Sequence, residues 1–222
     1  MGGRTIFADR RDAGRTLADH LSEYAERPDV VVLGLPRGGV PVAFEVAAAL
    51  SAPLDVLIVR KLGVPGHREL AMGAIASGGV RVVNDELVRM LGIGQDDIEE
   101  TTQHELAELE RREARYRQGR SAIEVEGRTV IVVDDGIATG STMEAALLAL
   151  RQLNPAELVV ATPLASMAAC EHLERFADVV VCASTPEPFG AVGQGYRRFD
   201  QTTDDEVLAL LASVGSPEAG SR

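Results

Sequence analysis

Residues 130–142 read VIVVDDGIATGST, and this stretch decides how the chain is interpreted. Its first four residues are apolar and β-branched, which is typical of a strand covered on both faces. They run directly into Asp134 and Asp135, after which small hydroxyl-bearing residues open a helical pattern. Because ligands in an open α/β sheet bind beyond the carboxyl ends of the strands, the two aspartates are predicted to lie at a binding site.

Short apolar runs and helical patterns alternate along the rest of the chain. This alternation predicts an α/β fold with a mainly parallel, twisted sheet flanked by helices. The predicted strands are 30–35, 55–60, 80–84, 129–135, 157–163 and 178–183. The predicted helices are 9–26, 40–51, 95–119, 141–153, 166–175 and 204–213. The glycine-rich stretch 61–79 is predicted to be a linker.

The length of 222 residues suits one well-buried core better than two. We therefore expect a single domain over residues 1–222. It would carry a helical insertion at about 85–120, a small hood at about 185–203 and a disordered tail at about 215–222.

Within the insertion, helix 95–119 has acidic first turns and basic last turns, an order that complements the helix dipole. It is expected to form a projecting arm or one side of a helical hairpin. A helix packed on one side is favoured over a lid that contacts substrate. Its thin apolar stripe consists of Ile98, Leu106, Leu109 and Tyr116.

The composition excludes several classes of protein. A formal net charge of −12 argues against sequence-independent binding of nucleic acid, which needs basic surface to replace counterions. No apolar run approaches membrane-spanning length and the first residues are charged, so we expect a cytoplasmic protein without a membrane partner. Cys170 and Cys182 fit no metal-binding spacing and are predicted to be buried thiols rather than a disulfide.

The loop after the aspartates indicates what the acid pair binds. Paired carboxylates could bind a divalent cation directly, or they could accept hydrogen bonds from a sugar diol. Backbone N–H groups at the start of a helix, with hydroxyls from Thr139, Ser141 and Thr142 beside them, form a cradle suited to phosphate. A ribose that carries a 5-phosphate combines these two groups.

The stretch VVDDGIATGST resembles the phosphoribosyl pyrophosphate (PRPP) motif of type I phosphoribosyltransferases. The resemblance covers roughly residues 30–200 and implies that Asp134 and Asp135 hold the ribose hydroxyls. It also implies that the 5-phosphate is bound by Ala138, Thr139, Gly140, Ser141 and Thr142.

Two further segments resemble parts of the same family. In LPRGGVPVA, residues 35–43, the residues Arg37, Gly38 and Gly39 match the pyrophosphate loop. The segment from Lys61 resembles the mobile catalytic loop. It contains Arg68 and the single lysine of a chain with 22 basic residues. The resemblance implies that Lys61, Arg37 and Arg68 stabilise the departing pyrophosphate.

The resemblance implies transfer of 5-phosphoribose from PRPP to a nitrogenous acceptor, such as a base or related heterocycle. Mg2+ would be the cofactor, with Asp134 and Asp135 reaching it indirectly, through ribose hydroxyls or water. Relatives that use 6-oxopurines carry an aspartate where this chain has Ala138, so such an acceptor is disfavoured. In the hood, Tyr196 and Phe199 could stack on the acceptor, although plain packing is favoured for each.

Other functions stay open at this point. A non-catalytic protein that senses PRPP or a nucleotide could keep the sugar-phosphate cradle, but retention of Arg37 and Lys61 favours an enzyme. The segment LGLPRGG lacks the GxGxxG spacing of a dinucleotide-binding fold, and the chain has no P-loop. A homodimer is left open.

Overall fold

The computed structural model describes residues 6–213, except for the side chains of Arg68 and Glu69. The predicted tail at 215–222 lies outside these residues. The strands are β1 (Val30–Gly34), β2 (Leu54–Val56), β3 (Val59–Val64), β4 (His67–Ala76), β5 (Val80–Val83), β6 (Thr129–Val133), β7 (Glu157–Thr162) and β8 (Val179–Cys182). The α-helices are α1 (Arg10–Asp19), α2 (Gly39–Leu50), α3 (Asp85–Leu91), α4 (Gln95–Arg117), α5 (Ser141–Arg151), α6 (Met167–Leu173) and α7 (Asp204–Ser213).

A parallel sheet of five strands, in the order β2–β1–β6–β7–β8, forms the centre of the fold. Every residue of β1 and β6 is buried, as the apolar runs predict. Alternate residues of β1 enter different cores. Val30 and Val32 pack with α1, α2 and α7, whereas Val31 and Leu33 pack with α5 and α6. The predicted α/β fold with a parallel sheet flanked by helices is confirmed.

A second, antiparallel sheet in the order β3–β4–β5 was not predicted. The predicted strand 55–60 is divided between β2 and β3, which belong to different sheets, and the strand predicted at 80–84 joins the second sheet as β5. The prediction that 61–79 is a linker is wrong, because most of it forms the β3–β4 hairpin. Gly73 shows why glycines here do not indicate a linker. A Cβ at this position would lie 2.3 Å from the Val82 carbonyl oxygen of the neighbouring strand β5.

Helix α4 lies against the rest of the chain rather than projecting from it. Ile98, Leu109 and Tyr116 of its stripe are buried, and Leu106 is partly buried against the same core. Ion pairs supplement this thin stripe, including one between Arg60 of β3 and Glu105, at 2.6 Å. The interpretation as a helix packed on one side is therefore confirmed, and its apolar stripe packs against the core of the same chain.

Cys170 of α6 and Cys182 of β8 form a disulfide, with their Cα atoms 7.0 Å apart. The prediction of two buried thiols is therefore wrong. The two cysteines are separated by 12 residues, and their spacing gave no sign of the contact. They meet because α6, which connects β7 to β8, packs against β8.

The hood region, predicted at about 185–203, is largely irregular and contains a short 3-10 helix at Val192–Gly195. Its residue Tyr196 forms an isolated parallel bridge with Phe7, which joins the hood to the start of the described chain. Among residues 6–213, no helix combines the length and apolar character needed to cross a bilayer.

Candidate active site

The acid pair lies where the central sheet ends. Asp134 and Asp135 directly follow β6, and the neighbouring strand β1 continues beside them, with the Leu35 N–H donating to the Val133 carbonyl at 2.9 Å. Both aspartates are only partly exposed. Because β1 and β6 are parallel neighbours, the loops that follow them meet at the same edge of the sheet.

The environment of Asp134 disfavours its charge. Burial raises the pKa of Asp134 well above its usual value, and the neighbouring charge of Asp135 raises it further. The backbone N–H of Asp135 donates to Asp134 Oδ1 at 2.9 Å and lowers the pKa in part. A carboxylate held in this way gains from any ligand that brings hydrogen-bond donors or positive charge.

Asp135 has a partner that the sequence interpretation missed. Arg10 Nε donates to Asp135 Oδ2 at 2.7 Å, and both side chains are mostly buried. Burial raises the pKa of Asp135, and the hydrogen bond from Arg10 opposes this rise. Arg10 lies 125 residues from Asp135 and is one of many arginines, so no local signal in the sequence could have identified it.

The two glycines of the predicted pyrophosphate loop pack directly against the acid pair. A Cβ on Gly38 would lie 2.0 Å from Asp135 Oδ2. One on Gly39 would lie 2.6 Å from the Val133 carbonyl oxygen and 3.0 Å from Asp134 Cα. Only glycine permits this approach, so the structure brings the backbone of this loop into contact with the residues predicted to hold the ribose.

The predicted phosphate loop is anchored from the neighbouring strand connection. The Ile137 N–H donates to the Leu164 carbonyl at 2.8 Å. Ser166 Oγ donates to the Ala138 carbonyl at 2.8 Å. Gly140 caps the 11-residue helix α5. The residues left exposed at the start of this helix are Ala138, Thr139, Ser141 and Thr142.

Lys61 reaches the predicted phosphate loop from the second sheet. Its Nζ donates to Ser141 Oγ at 3.0 Å, and the Thr139 and Ser141 hydroxyl oxygens are 3.4 Å apart. Lys61 lies within β3 rather than in an irregular loop, so its backbone position is set by the hairpin. Arg68 follows in β4, but its side chain is outside the described part of the structure.

Arg37 points towards helix α4. It lines a cavity of about 260 Å³ together with Pro36, Arg111, Arg112, Arg115, Tyr116 and Asp204. Among the described residues, no hydrogen bond or ion pair joins the Arg37 side chain to the acid pair. The structure therefore places its backbone beside the predicted pyrophosphate loop glycines and its side chain in a separate basic pocket.

The hood aromatics pack on one another. The Tyr196 ring stacks on Phe199, with centroids 4.9 Å apart, and is 5.8 Å from Phe7. The Tyr196 hydroxyl donates to the Asp135 carbonyl oxygen. The Arg10 guanidinium lies 4.0 Å from the Phe199 centroid, and Phe199 keeps 37% of its surface exposed. Tyr196 is thus a packing residue here, whereas part of Phe199 is accessible to a ligand.

Across the described residues, no group of three or more His, Cys, Asp or Glu side chains could hold a metal ion. Asp134 and Asp135 alone provide adjacent carboxylates with raised pKa values, which hydroxyls or a cation would stabilise. Such a pair suits a metal that arrives with an anionic ligand better than one held by protein ligands alone.

Comparison with known proteins agrees with this arrangement. The sequence profile of the phosphoribosyl transferase domain family matches residues 6–194. Two curated Mycobacterium tuberculosis proteins, from strains CDC 1551 and H37Rv, carry a provisional phosphoribosyl transferase name. Each is 52% identical over 206 residues, which are 93% of this chain and 46% of the relative. The chain thus spans about half the length of the curated relatives it matches.

A solved structure from Thermus thermophilus is similar to almost the whole of this chain. It has a TM-score of 0.87 and 44% identity, and the match covers 95% of this chain and 100% of that one. The acid pair and the loops predicted to bind pyrophosphate and phosphate converge at one sheet edge. Because the family profile matches most of the sequence, the chain belongs to the phosphoribosyl transferase domain family.

Proposed function

We propose that this chain transfers 5-phosphoribose from PRPP to a nitrogenous acceptor, a base or related heterocycle, and releases pyrophosphate. The observation that carries the proposal is the contact between Lys61 Nζ and Ser141 Oγ. It brings a cation from the second sheet to the start of α5, next to the acid pair after β6. Membership of the family supports PRPP as the donor.

The substrate would be held by charge and hydrogen bonding. The ribose hydroxyls would donate to Asp134 and Asp135, whose burial disfavours their ionised forms. Hydrogen bonds to a charged group contribute about 1.5 to 3 kcal/mol each. The 5-phosphate accepts from the backbone N–H groups and hydroxyls of residues 138–142. Pyrophosphate would lie against the backbone of the loop that contains Gly38 and Gly39.

Catalysis would consist mainly of stabilising the leaving group. As the bond to the anomeric carbon breaks, negative charge grows on pyrophosphate, and Lys61 and Arg68 would provide positive charge there. Arg37 would act through the backbone of its loop, because its side chain lines the separate basic pocket. Removing one such stabilising donor from an enzyme site typically costs about 10²- to 10³-fold in turnover.

Mg2+ is the proposed cofactor. It would lower the charge of the pyrophosphate oxygens when bound. Asp134 and Asp135 would contact it indirectly, through the ribose hydroxyls or water. The adjacent carboxylates, for which Arg10 is the one ion-pair partner among the described side chains, fit such a role.

The acceptor would enter at the hood. Phe199 keeps an exposed part that an acceptor ring could contact, and its own ring already lies against Tyr196 and the Arg10 guanidinium. Stacking on an aromatic side chain contributes about 0.5 to 1.5 kcal/mol beyond the area that is buried.

The proposal is tested by calorimetry with PRPP and Mg2+, followed by measurement of pyrophosphate release with a panel of bases and small heterocycles. Binding with release identifies a transferase and its acceptor. Binding without release for any acceptor supports a PRPP-sensing protein instead. No binding of PRPP or ribose 5-phosphate rejects both functions.

Lys61 offers a sharper test of the leaving-group role. Lys61→Ala should lower turnover by about 10²-fold while PRPP affinity falls by less than about ten-fold, because the cation acts as charge develops. Arg89→Ala, on the exposed helix α3, controls for the loss of one positive charge. Equal losses in turnover and affinity would contradict the role assigned to Lys61.

A further inference from the structure

A basic pocket lies between helix α4 and the loop after β1. We call it the arginine pocket and define it by Arg37, Arg111, Arg112 and Arg115. Its cavity measures about 260 Å³, and Tyr116 and Asp204 complete the wall. Arg115 lies one helical turn after Arg111 and Arg112, at the i,i+4 and i,i+3 spacings that make side chains neighbours on a helix surface.

The pocket carries more positive than negative charge. Glu108 accepts from both Arg111 and Arg112, at 2.8 and 2.7 Å. Asp204 accepts from Arg115 at 2.8 Å. Two carboxylates therefore face four guanidinium groups. Arg37 forms no ion pair with any carboxylate among the described side chains.

Two other pockets of similar size show that this surplus is local. The cavity beside α1 is balanced, with three arginines (Arg10, Arg11 and Arg198) and three acids (Asp9, Asp200 and Glu206). In the cavity beside β3, Lys61 is outnumbered by Asp97, Glu100 and Glu105. A local positive surplus on a chain with net charge −12 is therefore a feature of the arginine pocket.

The guanidinium groups are accessible to a ligand. The side chain of Arg111 is 61% exposed, that of Arg115 is 46% exposed and that of Arg112 is 36% exposed. Their carboxylate partners leave further N–H donors free, because each guanidinium carries five of them. Planar forks of this kind match the oxygen geometry of phosphate, and a surplus of two charges matches a doubly charged anion.

We propose that the arginine pocket is a second anion-binding site, which takes a phosphate-class group in addition to the one held at the start of α5. Arg37 connects the two regions, because its side chain lines the pocket while the backbone that follows it, at Gly38 and Gly39, packs against the acid pair. The phosphoryl group belongs either to the acceptor or to a separate effector. Binding to the pocket does not depend on the proposed transferase activity.

The test is a calorimetric titration of the full chain with inorganic pyrophosphate. The variant Arg111→Gln with Arg115→Gln removes two pocket charges, and both residues are exposed enough for the fold to tolerate the change. Arg89→Gln with Arg151→Gln removes two charges from α3 and α5, outside the pocket. The pocket variant should lose one binding site or bind there at least about ten-fold more weakly, and the control should not.

The count of sites separates this proposal from the proposed function. If both hold, the wild type binds two pyrophosphates and the pocket variant binds one. If only the arginine pocket binds, the counts are one and none. A pocket variant with the wild-type isotherm, or a control pair that loses as much, overturns the inference. Arg111→Lys with Arg115→Lys should recover part of the affinity, because charge returns without the planar fork.

Steady-state kinetics then identify the source of the phosphoryl group. If it belongs to the acceptor, the pocket variant should raise KM at least about ten-fold for phosphorylated acceptors and leave unphosphorylated ones unchanged. If it belongs to an effector, inorganic phosphate should alter the wild-type rate and not that of the variant. If neither response is observed, the proposed link between the pocket and the reaction site is overturned.

Discussion

Replacing Arg10 should destabilise the ligand-free protein through Asp135. Arg10 Nε lies 2.7 Å from Asp135 Oδ2, and the exposed fractions of the two side chains are only 13% and 14%. Arg10 also donates to the Asp200 carbonyl at 2.7 Å and lies over the Phe199 ring at 4.0 Å. Arg10→Gln would remove the positive charge beside Asp135 and leave the two adjacent carboxylates without an ion-pair partner among the described side chains.

The magnitude follows from the burial of this pair. Removing one partner of a buried ion pair costs about 3 to 5 kcal/mol. The residual exposure of both side chains and the polar amide of the glutamine reduce the cost, so we expect a loss of roughly 2 to 3 kcal/mol in the free energy of unfolding. For a chain of this length, that loss corresponds to a fall of roughly 4 to 12 °C in Tm.

Denaturant unfolding of a double-mutant cycle measures the effect. In an Asp135→Asn background, Arg10→Gln should cost less than about 1 kcal/mol, because the charge that Arg10 offsets is gone. Arg11→Gln, the adjacent residue on α1, is the matched control. Arg11 is 52% exposed and 3.3 Å from Glu45, so its loss should cost less than about 1 kcal/mol. If Arg10→Gln costs the same in both backgrounds, the assigned pairing is refuted.

Two further predictions concern the same sheet edge. Gly39→Ala places a Cβ 2.6 Å from the Val133 carbonyl oxygen. It should therefore cost about 1 to 3 kcal/mol of stability and weaken PRPP binding at least ten-fold by calorimetry. Gly94→Ala, whose Cβ would meet only a carboxylate oxygen at 3.3 Å, should leave binding unchanged. The raised pKa of Asp134 means that the folded state holds its proton more tightly than the unfolded chain, so this residue's contribution to stability falls as pH rises above 3.8. Thermal melts should show Asp134→Asn gaining stability relative to wild type as pH rises, and a constant difference would contradict the assignment.

The central sheet could be predicted because its strands are buried on both faces and read as continuous apolar runs. The second sheet could not, because its strands are partly exposed and rich in small residues that also favour loops. Gly73 illustrates the ambiguity. A glycine is required at this position by the close approach of β5 rather than by a turn. A single sequence does not distinguish these two reasons for a glycine.

In the candidate site, the residues of the local motif could be predicted from the sequence, whereas the contacts between distant segments could not. The acid pair, most of its strand and the start of the following helix lie within 13 consecutive residues, so their order fixes their arrangement. Arg10 and the arginine pocket join elements far apart in the chain, and no spacing rule brings α1 or α4 to this edge. The position of Lys61 is an intermediate case. Its rarity singled it out, but only the β3–β4 hairpin explains its contact with Ser141.

The acid pair connects stability with the proposed binding of ribose. In the ligand-free chain, Asp134 and Asp135 are close like charges whose burial disfavours ionisation, and Arg10 is the cation that contacts them. Hydroxyl groups that donate to the same carboxylates would relieve the same unfavourable desolvation. The two aspartates therefore lower the stability of the empty site for the same reason that they would favour a bound sugar. A substitution such as Asp134→Asn, which removes the charge, should both stabilise the ligand-free protein and weaken PRPP binding. A variant that gained stability without losing affinity would show that the acid pair does not hold the ribose.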